Sequence, residues 1–239
     1  MKPDYGLDAP GVIRGLLVGG AAALVVGSFA SNLHVGPVQI ALRPTLLDTG
    51  VFCILSGLAM LAYSKFGKFR HRDRILRMVN WKGDEMVLDV GTGRGLLMIG
   101  AAQKLNHGKA VGIDIWSKQD LSGNTMENTL KNAELEGVRG KVELRSEDAT
   151  AMALPNGTFD VVLSNLCLHN IPSREARDRA CREIVRVLKP GGQAVISDLK
   201  NTGAYIRAFR TAGATAERSG VYPFDTFPPL TIIRVGKPA

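Results

Sequence analysis

The chain has 239 residues, 45% of them apolar and 22% charged, with a net charge of +8. That length fits one sizeable domain plus an appendage, and neither a tandem repeat nor a low-complexity segment interrupts it. Three cysteines (Cys53, Cys167, Cys181) and four histidines (His34, His71, His107, His169) show no metal-ligand spacing. No metal is expected, and the odd number of thiols reads as reduced and mostly buried.

Gly15 to Ser31 is a run of about seventeen residues without a charge, near the lower limit for crossing a bilayer. Small residues recur at every fourth position (Gly15, Gly19, Ala23, Gly27, Ser31), a ridge along which membrane helices approach closely. In a soluble helix each of those glycines would cost roughly 1 kcal/mol relative to alanine. A second run, Leu46 to Tyr63, carries Asp48 in its first turn. Near the bilayer surface that charge costs well under the ~2.5–3.5 kcal/mol of the membrane centre. The segment between the runs, residues 32–44, contains Gly36-Pro37 and a single arginine. The expected arrangement is two membrane helices joined by a short turn. Two other readings compete with it. One is a buried soluble helix; the other is a secretory signal ending at Ser28-Phe29-Ala30, opposed by Asp4 and Asp8 among the leading bases.

Charge is unevenly distributed. Residues 1–63 balance to zero, whereas Lys65, Lys68, Arg70, Arg72, Arg74 and Arg77 face only Asp73. Nucleic acid is one partner for such a cluster. Next to an apolar hairpin, however, the positive-inside rule explains it better and sets this segment on the cytoplasmic side. The bases would then rest on anionic headgroups at about 1 kcal/mol each. A membrane is therefore the expected partner, and nucleic acid is not.

Beyond the basic cluster, Val87-Leu88-Asp89-Val90 reads as a strand running into Gly91-Thr92-Gly93-Arg94-Gly95. So many glycines let backbone approach a ligand, and a helix over residues 96–105 would offer its free N–H groups to it. A dinucleotide fingerprint needs a small residue where Leu96 stands, which argues against a nicotinamide-dependent oxidoreductase. A second strand, Ala110-Val111-Gly112-Ile113-Asp114, ends in a carboxylate placed to hold two ribose hydroxyls. Strands are also expected at residues 142–145, 159–165 and 193–199, with a helix over 120–136. A turn at Lys189-Pro190-Gly191-Gly192 ends another helix. Residues 203–213 read as a helix with Tyr205 and Phe209 on one face, followed by two short strands around residues 223–229.

An acid before the glycine turn, an acid ending the next strand and these later elements resemble the class I S-adenosylmethionine-dependent methyltransferases. The likeness spans roughly residues 70–239 and is greatest to the small-molecule branch of that family. It implies an α/β, Rossmann-like, doubly wound seven-stranded sheet, mostly parallel with an antiparallel C-terminal hairpin. Two transmembrane helices would precede it, with residues 1–66 as the anchor and 67–239 as the catalytic domain. The cofactor implied is S-adenosyl-L-methionine. Asp89, Gly91, Gly93 and Gly95 would form its methionine-side loop, with Asp114 at the ribose and Ile115 against the adenine. Asp148, with Ala149, would receive the adenine amino group. Asn165 would contribute to the cofactor and acceptor sides, and His169 would serve as proton acceptor; a structural role is the alternative for His169. Cys167, Tyr205 and Tyr222 are expected to pack, and Trp116 either lines the pocket or caps the domain. The loop Asn165-Leu166-Cys167-Leu168 lacks the paired prolines of amide and nucleobase methyltransferases. With the anchor, that favours a small acceptor that is lipid-soluble or held at a membrane. A cofactor-binding but inactive membrane protein is the non-enzymatic alternative.

Overall fold

Pro10 in the first turn needs no hydrogen-bond partner for its nitrogen, and from there the apolar run coils into α1 (Pro10–Phe29). A short antiparallel pair follows, β1 (Leu33–Val35) and β2 (Val38–Ile40), and then α2 (Leu42–Ala62). The computed structural model describes every residue except 36, 37 and 224, so Gly36-Pro37 lies outside the described residues. The two helices pack on each other, and of the expected ridge Gly27 lies in the contact, close to Leu46 and Leu47. Gly15 and Gly19 face open space. The seam of α1 runs instead through Ile13, Gly20 and Gly27, seven residues apart. A four-residue step advances 400° around a helix and drifts off any straight contact line, whereas a seven-residue step drifts only ∼20°. At the seam a Cβ on Gly20 would stand 2.9 Å from the Gly50 carbonyl, and one on Gly57 would stand 2.8 Å from Leu17. Val18, Val25, Phe52 and Leu55 point outward and are exposed.

A π-helical turn, Tyr63–Gly67, leads into α3 (Lys68–Leu76). Next come β3 (Met86–Val90), α4 (Leu96–Ala102), β4 (Lys109–Asp114), α5 (Met126–Leu135), β5 (Val142–Ser146) and β6 (Phe159–Asn165). The chain closes with α6 (Arg174–Val187), β7 (Leu188–Asp198), α7 (Thr202–Thr211), β8 (Thr215–Tyr222) and β9 (Leu230–Gly236). Seven strands pair in the order β5-β4-β3-β6-β7-β9-β8. β3 to β7 are mutually parallel, and β9 runs antiparallel between β7 and β8. The doubly wound sheet with its antiparallel C-terminal pair is thus present. Central strands buried on both faces need continuous apolar sequence. Val87 accordingly packs towards Ile75, Leu97 and Ala133, while Leu88 packs towards Ile184 and Phe209 on the other side.

The chain divides into two compact units. One comprises Met1–Gly6, Gly67–Lys118 and Gly123–Ala239; the other comprises Leu7–Phe66 with Gln119–Ser122. Two expected elements are shorter than the sequence pattern implies. The helix read over 120–136 begins only at Met126, because Gly123 takes φ 65° and the Thr125 hydroxyl caps the helix by accepting from Asn128 N–H. Helix α6 stops at Val187, ahead of Pro190, because Leu188 already pairs with Phe159; residues 189–192 are looped out of the ladder.

The basic cluster is partly spent on the fold. Lys68 is buried, and its amine donates to the carbonyls of Tyr5 and Gly6. Arg74 pairs with Asp225 and stacks over the Tyr222 ring. Arg72 pairs with Asp73, and only Lys65, Arg70 and Arg77 are exposed outright.

Candidate active site

The sheet order reverses at β3, whose neighbours are β4 and β6, and open α/β sheets bind ligands at the carboxyl ends of the strands beside such a reversal. There β3 passes into the glycine turn. Gly91 and Thr92 donate their N–H groups to the Ile113 carbonyl at 2.9 and 3.0 Å, stitching the turn to the end of β4. Gly93 lies at φ 54°, and its N–H donates to Asp114 Oδ2 at 2.8 Å. A carboxylate at the tip of β4 therefore points into the bend. Gly91 has a different constraint: a Cβ there would sit 2.3 Å from Cys167 Sγ, so only glycine lets the loop after β6 close on the turn. Gly95, at φ 85°, is the N-cap of α4.

Asp89 faces the helix rather than open space. Its Oδ2 accepts from the Thr92 hydroxyl at 2.8 Å and from Met98 N–H at 2.9 Å, so it braces turn against helix. Complete burial raises its pKa to about 7, partly offset by those two hydrogen bonds. Asp114 accepts at Oδ1 from Trp116 N–H (2.6 Å) and the Asn124 amide (3.2 Å). Ile115 beside it is 70% exposed, and Trp116 donates from its indole to Ser146 Oγ, joining the tips of β4 and β5. Asp148 lies two residues beyond Ser146, the register partner of Asp114; it is exposed and accepts from Thr150 N–H at 2.7 Å. Ala149 packs against the core.

Across the bend, β6 ends at Asn165, whose Oδ1 is buried without a hydrogen-bond partner. Leu166 then adopts φ 54°, a left-handed conformation costing about 1 kcal/mol, and its N–H is held by the Ser197 carbonyl. Burial, with Asp114, Asp198 and Asp89 nearby, pushes the Cys167 thiol well above its ordinary value; it is a packing group and not a nucleophile. His169 Nδ1 lies 2.6 Å from Asp198 Oδ1, and His169 N–H donates to Asp198 Oδ2 at 3.0 Å. The glycine turn, Asp114, Asn165 and His169 thus stand at the same end of the sheet as Asp148.

Sequence reasoning missed two of these residues. Asp198 ends a strand just as Asp114 does, so the same rule would have found it. Asn124 carried no signal because its segment reads as helix; it is buried, and its Oδ1 has no partner. Tyr205 is wholly buried, as packing requires.

Residues 88–196 match a protein-family profile described as a methyltransferase domain. The ubiquinone/menaquinone biosynthesis C-methyltransferase UbiE of Hydrogenovibrio crunogenus is 30% identical over 146 residues, covering 61% of this chain and 51% of that protein. A demethylmenaquinone methyltransferase of Bacteroides fragilis is 29% identical over 126 residues, covering 52% of this chain and 48% of that one. The chain spans about half the length of these curated relatives. Among solved structures, the YcgJ protein of Bacillus subtilis superposes with a TM-score of 0.60 at 13% identity, over 71% of this chain and 99% of its own. An S-adenosylmethionine-dependent methyltransferase of Mesorhizobium loti gives 0.53 at 17% identity, over 69% and 96%. The sheet order and these superpositions give the chain the Rossmann-like fold seen in methyltransferases.

Proposed function

We propose that this protein is an S-adenosylmethionine-dependent methyltransferase, anchored in a membrane by α1 and α2, that methylates a small lipid-soluble or membrane-held acceptor. The observation that carries the reading is the Asp114 carboxylate turned into a glycine bend at the β3 reversal. The site suits a nucleoside cofactor rich in donors. Asp114 Oδ2 keeps a lone pair after accepting from Gly93, and Asn124 and Asn165 each present a buried, unpartnered amide oxygen. Ile115 offers an exposed apolar face where an adenine needs one.

S-adenosylmethionine supplies a methyl group already activated on a sulfonium. The chain's work is to align the acceptor and exclude water. In this reading Asp114 and Asn124 take the ribose hydroxyls, Asp148 and Ala149 border the adenine, and Asn165 orients groups near the methyl. His169 takes a proton from an acceptor O–H or C–H, while Asp198 holds its ring and stabilises the charge it gains. The outward-facing apolar surface supports the anchor: α1 and the helical stretch opening at Leu42 are each long and apolar enough to cross a membrane, and most of that surface is unburied. The exposed Lys65, Arg70 and Arg77 support a cytoplasmic catalytic unit.

Membranes containing the protein, incubated with a donor labelled at its methyl, should pass label to a lipid-extractable species. An Asp114→Ala variant should pass about ten- to a hundredfold less at a subsaturating donor concentration. Label confined to protein or nucleic acid would overturn the acceptor class, and no transfer with intact donor binding would overturn the activity.

A further inference from the structure

The six residues ahead of the apolar hairpin belong to the same compact unit as the glycine turn. Asn132, on α5 and 2% exposed, accepts from Asp4 N–H at 2.9 Å. Its amide also donates to the Asp4 carbonyl at 2.8 Å and to the Arg94 carbonyl at 3.0 Å. One side chain therefore ties residue 4 to the middle of the glycine turn. Arg94 itself pairs with Asp4 Oδ2 at 2.9 Å. A neighbouring α5 side chain works the same way: the Thr129 hydroxyl donates to the Gly93 carbonyl at 2.7 Å. Further along, Tyr5 is buried, stacks edge-on against Phe69 and donates to Glu136, while the Lys68 amine holds the carbonyls of residues 5 and 6. Residues 7–9 then bind the loop that follows Asp114: Leu7 N–H donates to Ser122 Oγ, Ser122 N–H to the Leu7 carbonyl, and Ala9 N–H to the Asp120 carbonyl.

We infer that residues 4–6 form a positioning strap for the cofactor pocket, with Asn132 as its clasp. Cofactor affinity then depends on the short segment ahead of the first apolar helix. The strap braces the glycine turn: Asn132 bonds both residue 4 and the Arg94 carbonyl, and Arg94 pairs with Asp4. Asn132 is a positioning residue: its contacts are to chain, and its effect on the cofactor passes through the Arg94 carbonyl. The inference rests on the methyltransferase reading.

The test uses the full chain in detergent or nanodiscs, titrated with S-adenosylmethionine by calorimetry. Asn132→Asp keeps the size but replaces two donations with repulsion, and should weaken binding about five- to tenfold, within the usual range of coupling between sites. Phe209→Leu, in the core on the other face of the sheet, should lower Tm comparably and leave affinity unchanged. Reciprocally, adding cofactor to the unaltered protein should slow amide exchange over residues 4–6, a measurement that stands even if Asn132→Asp does not fold. Affinity within twofold of the unaltered protein for Asn132→Asp, or unchanged exchange in the strap, overturns the inference while leaving the methyltransferase reading in place. No binding by the unaltered protein overturns both.

Discussion

Asp114 spends three of its lone pairs on the protein before any ligand arrives, accepting from Gly93, Trp116 and Asn124. Its position is therefore set in advance, and a ligand hydroxyl meets an acceptor that needs little reorganisation. Asp114→Ala should weaken S-adenosylmethionine by one to two orders of magnitude, read by calorimetry, as expected for losing charge-assisted hydrogen bonds. Gly93→Val should abolish binding with the far-UV spectrum retained, because φ 54° is strained for a β-branched residue and its N–H would lose the carboxylate. Asp89 makes a different prediction, because it is buried in the native state and solvated in the unfolded one. Its pKa rises from the ordinary 3.8 to about 7 on folding, so between those values the native state holds the extra proton. That contribution to stability is complete below about pH 4 and is lost as pH rises to 7, at about 1.4 kcal/mol per pH unit. Asp89→Asn keeps an acceptor for Thr92 and Met98 but removes the titration. The stability gap between unaltered and variant protein, measured by denaturant melts, should change across pH 4–7 and flatten above it; a gap independent of pH would show that Asp89 does not titrate there.

Among the elements, legibility followed how locally each was determined. The glycine turn and the strand-ending Asp114 were readable as structure because the positive φ at Gly93 and a carboxylate closing a strand are short-range requirements, whereas Asp89, expected on the ligand side of the turn, is turned inward against Thr92 and Met98. The strands at 86–90, 109–114 and 159–165 were readable because apolar runs buried on both faces have few alternatives. Partners set by tertiary contact were not readable. Asn124 lies in a segment whose composition suits a helix, but the helix starts only at Met126, behind the Thr125 cap, and residues 119–122 pair instead with the chain at 7–9. The ridge on α1 failed for a geometric reason, since every-fourth spacing describes one helix in isolation while contact with α2 selects the seven-residue repeat. That contrast gives a paired test. Gly20→Leu forces a side chain against the Gly50 carbonyl and should cost about 1–3 kcal/mol of hairpin stability, read as a fall in the thermal midpoint in detergent. Gly19→Leu, which meets nothing within 4 Å, should cost nothing and raise helix propensity. A cost at Gly19→Leu with none at Gly20→Leu would restore the four-residue ridge.

At the scale of the whole molecule, the chain leaves the unit that carries the seven-stranded sheet after Gly6 and returns to it at Gly67. If the hairpin lies in a bilayer, both of its ends must then open on the same side, which only an even number of crossings satisfies. Cleavage after Ala30 would cut away Asp4, Tyr5 and the carbonyls that Lys68 holds, so this packing argues against a removed secretory signal. The exposed Lys65, Arg70 and Arg77 sit at the return, and in the proposed anchoring the positive-inside rule would set that side in the cytoplasm. Single cysteines at exposed positions test this directly once the three native thiols, Cys53, Cys167 and Cys181, are replaced by alanine. With a membrane-impermeant maleimide on intact cells, Arg43→Cys, at the far turn of the hairpin, should label. Lys2→Cys and Lys104→Cys should label only after lysis, and to the same extent as each other. Labelling of Lys2→Cys alone from outside would mean a single crossing, incompatible with Asp4 bound to Asn132. Labelling of all three from outside would place the catalytic unit away from its methyl donor and remove the physical basis for the proposed activity.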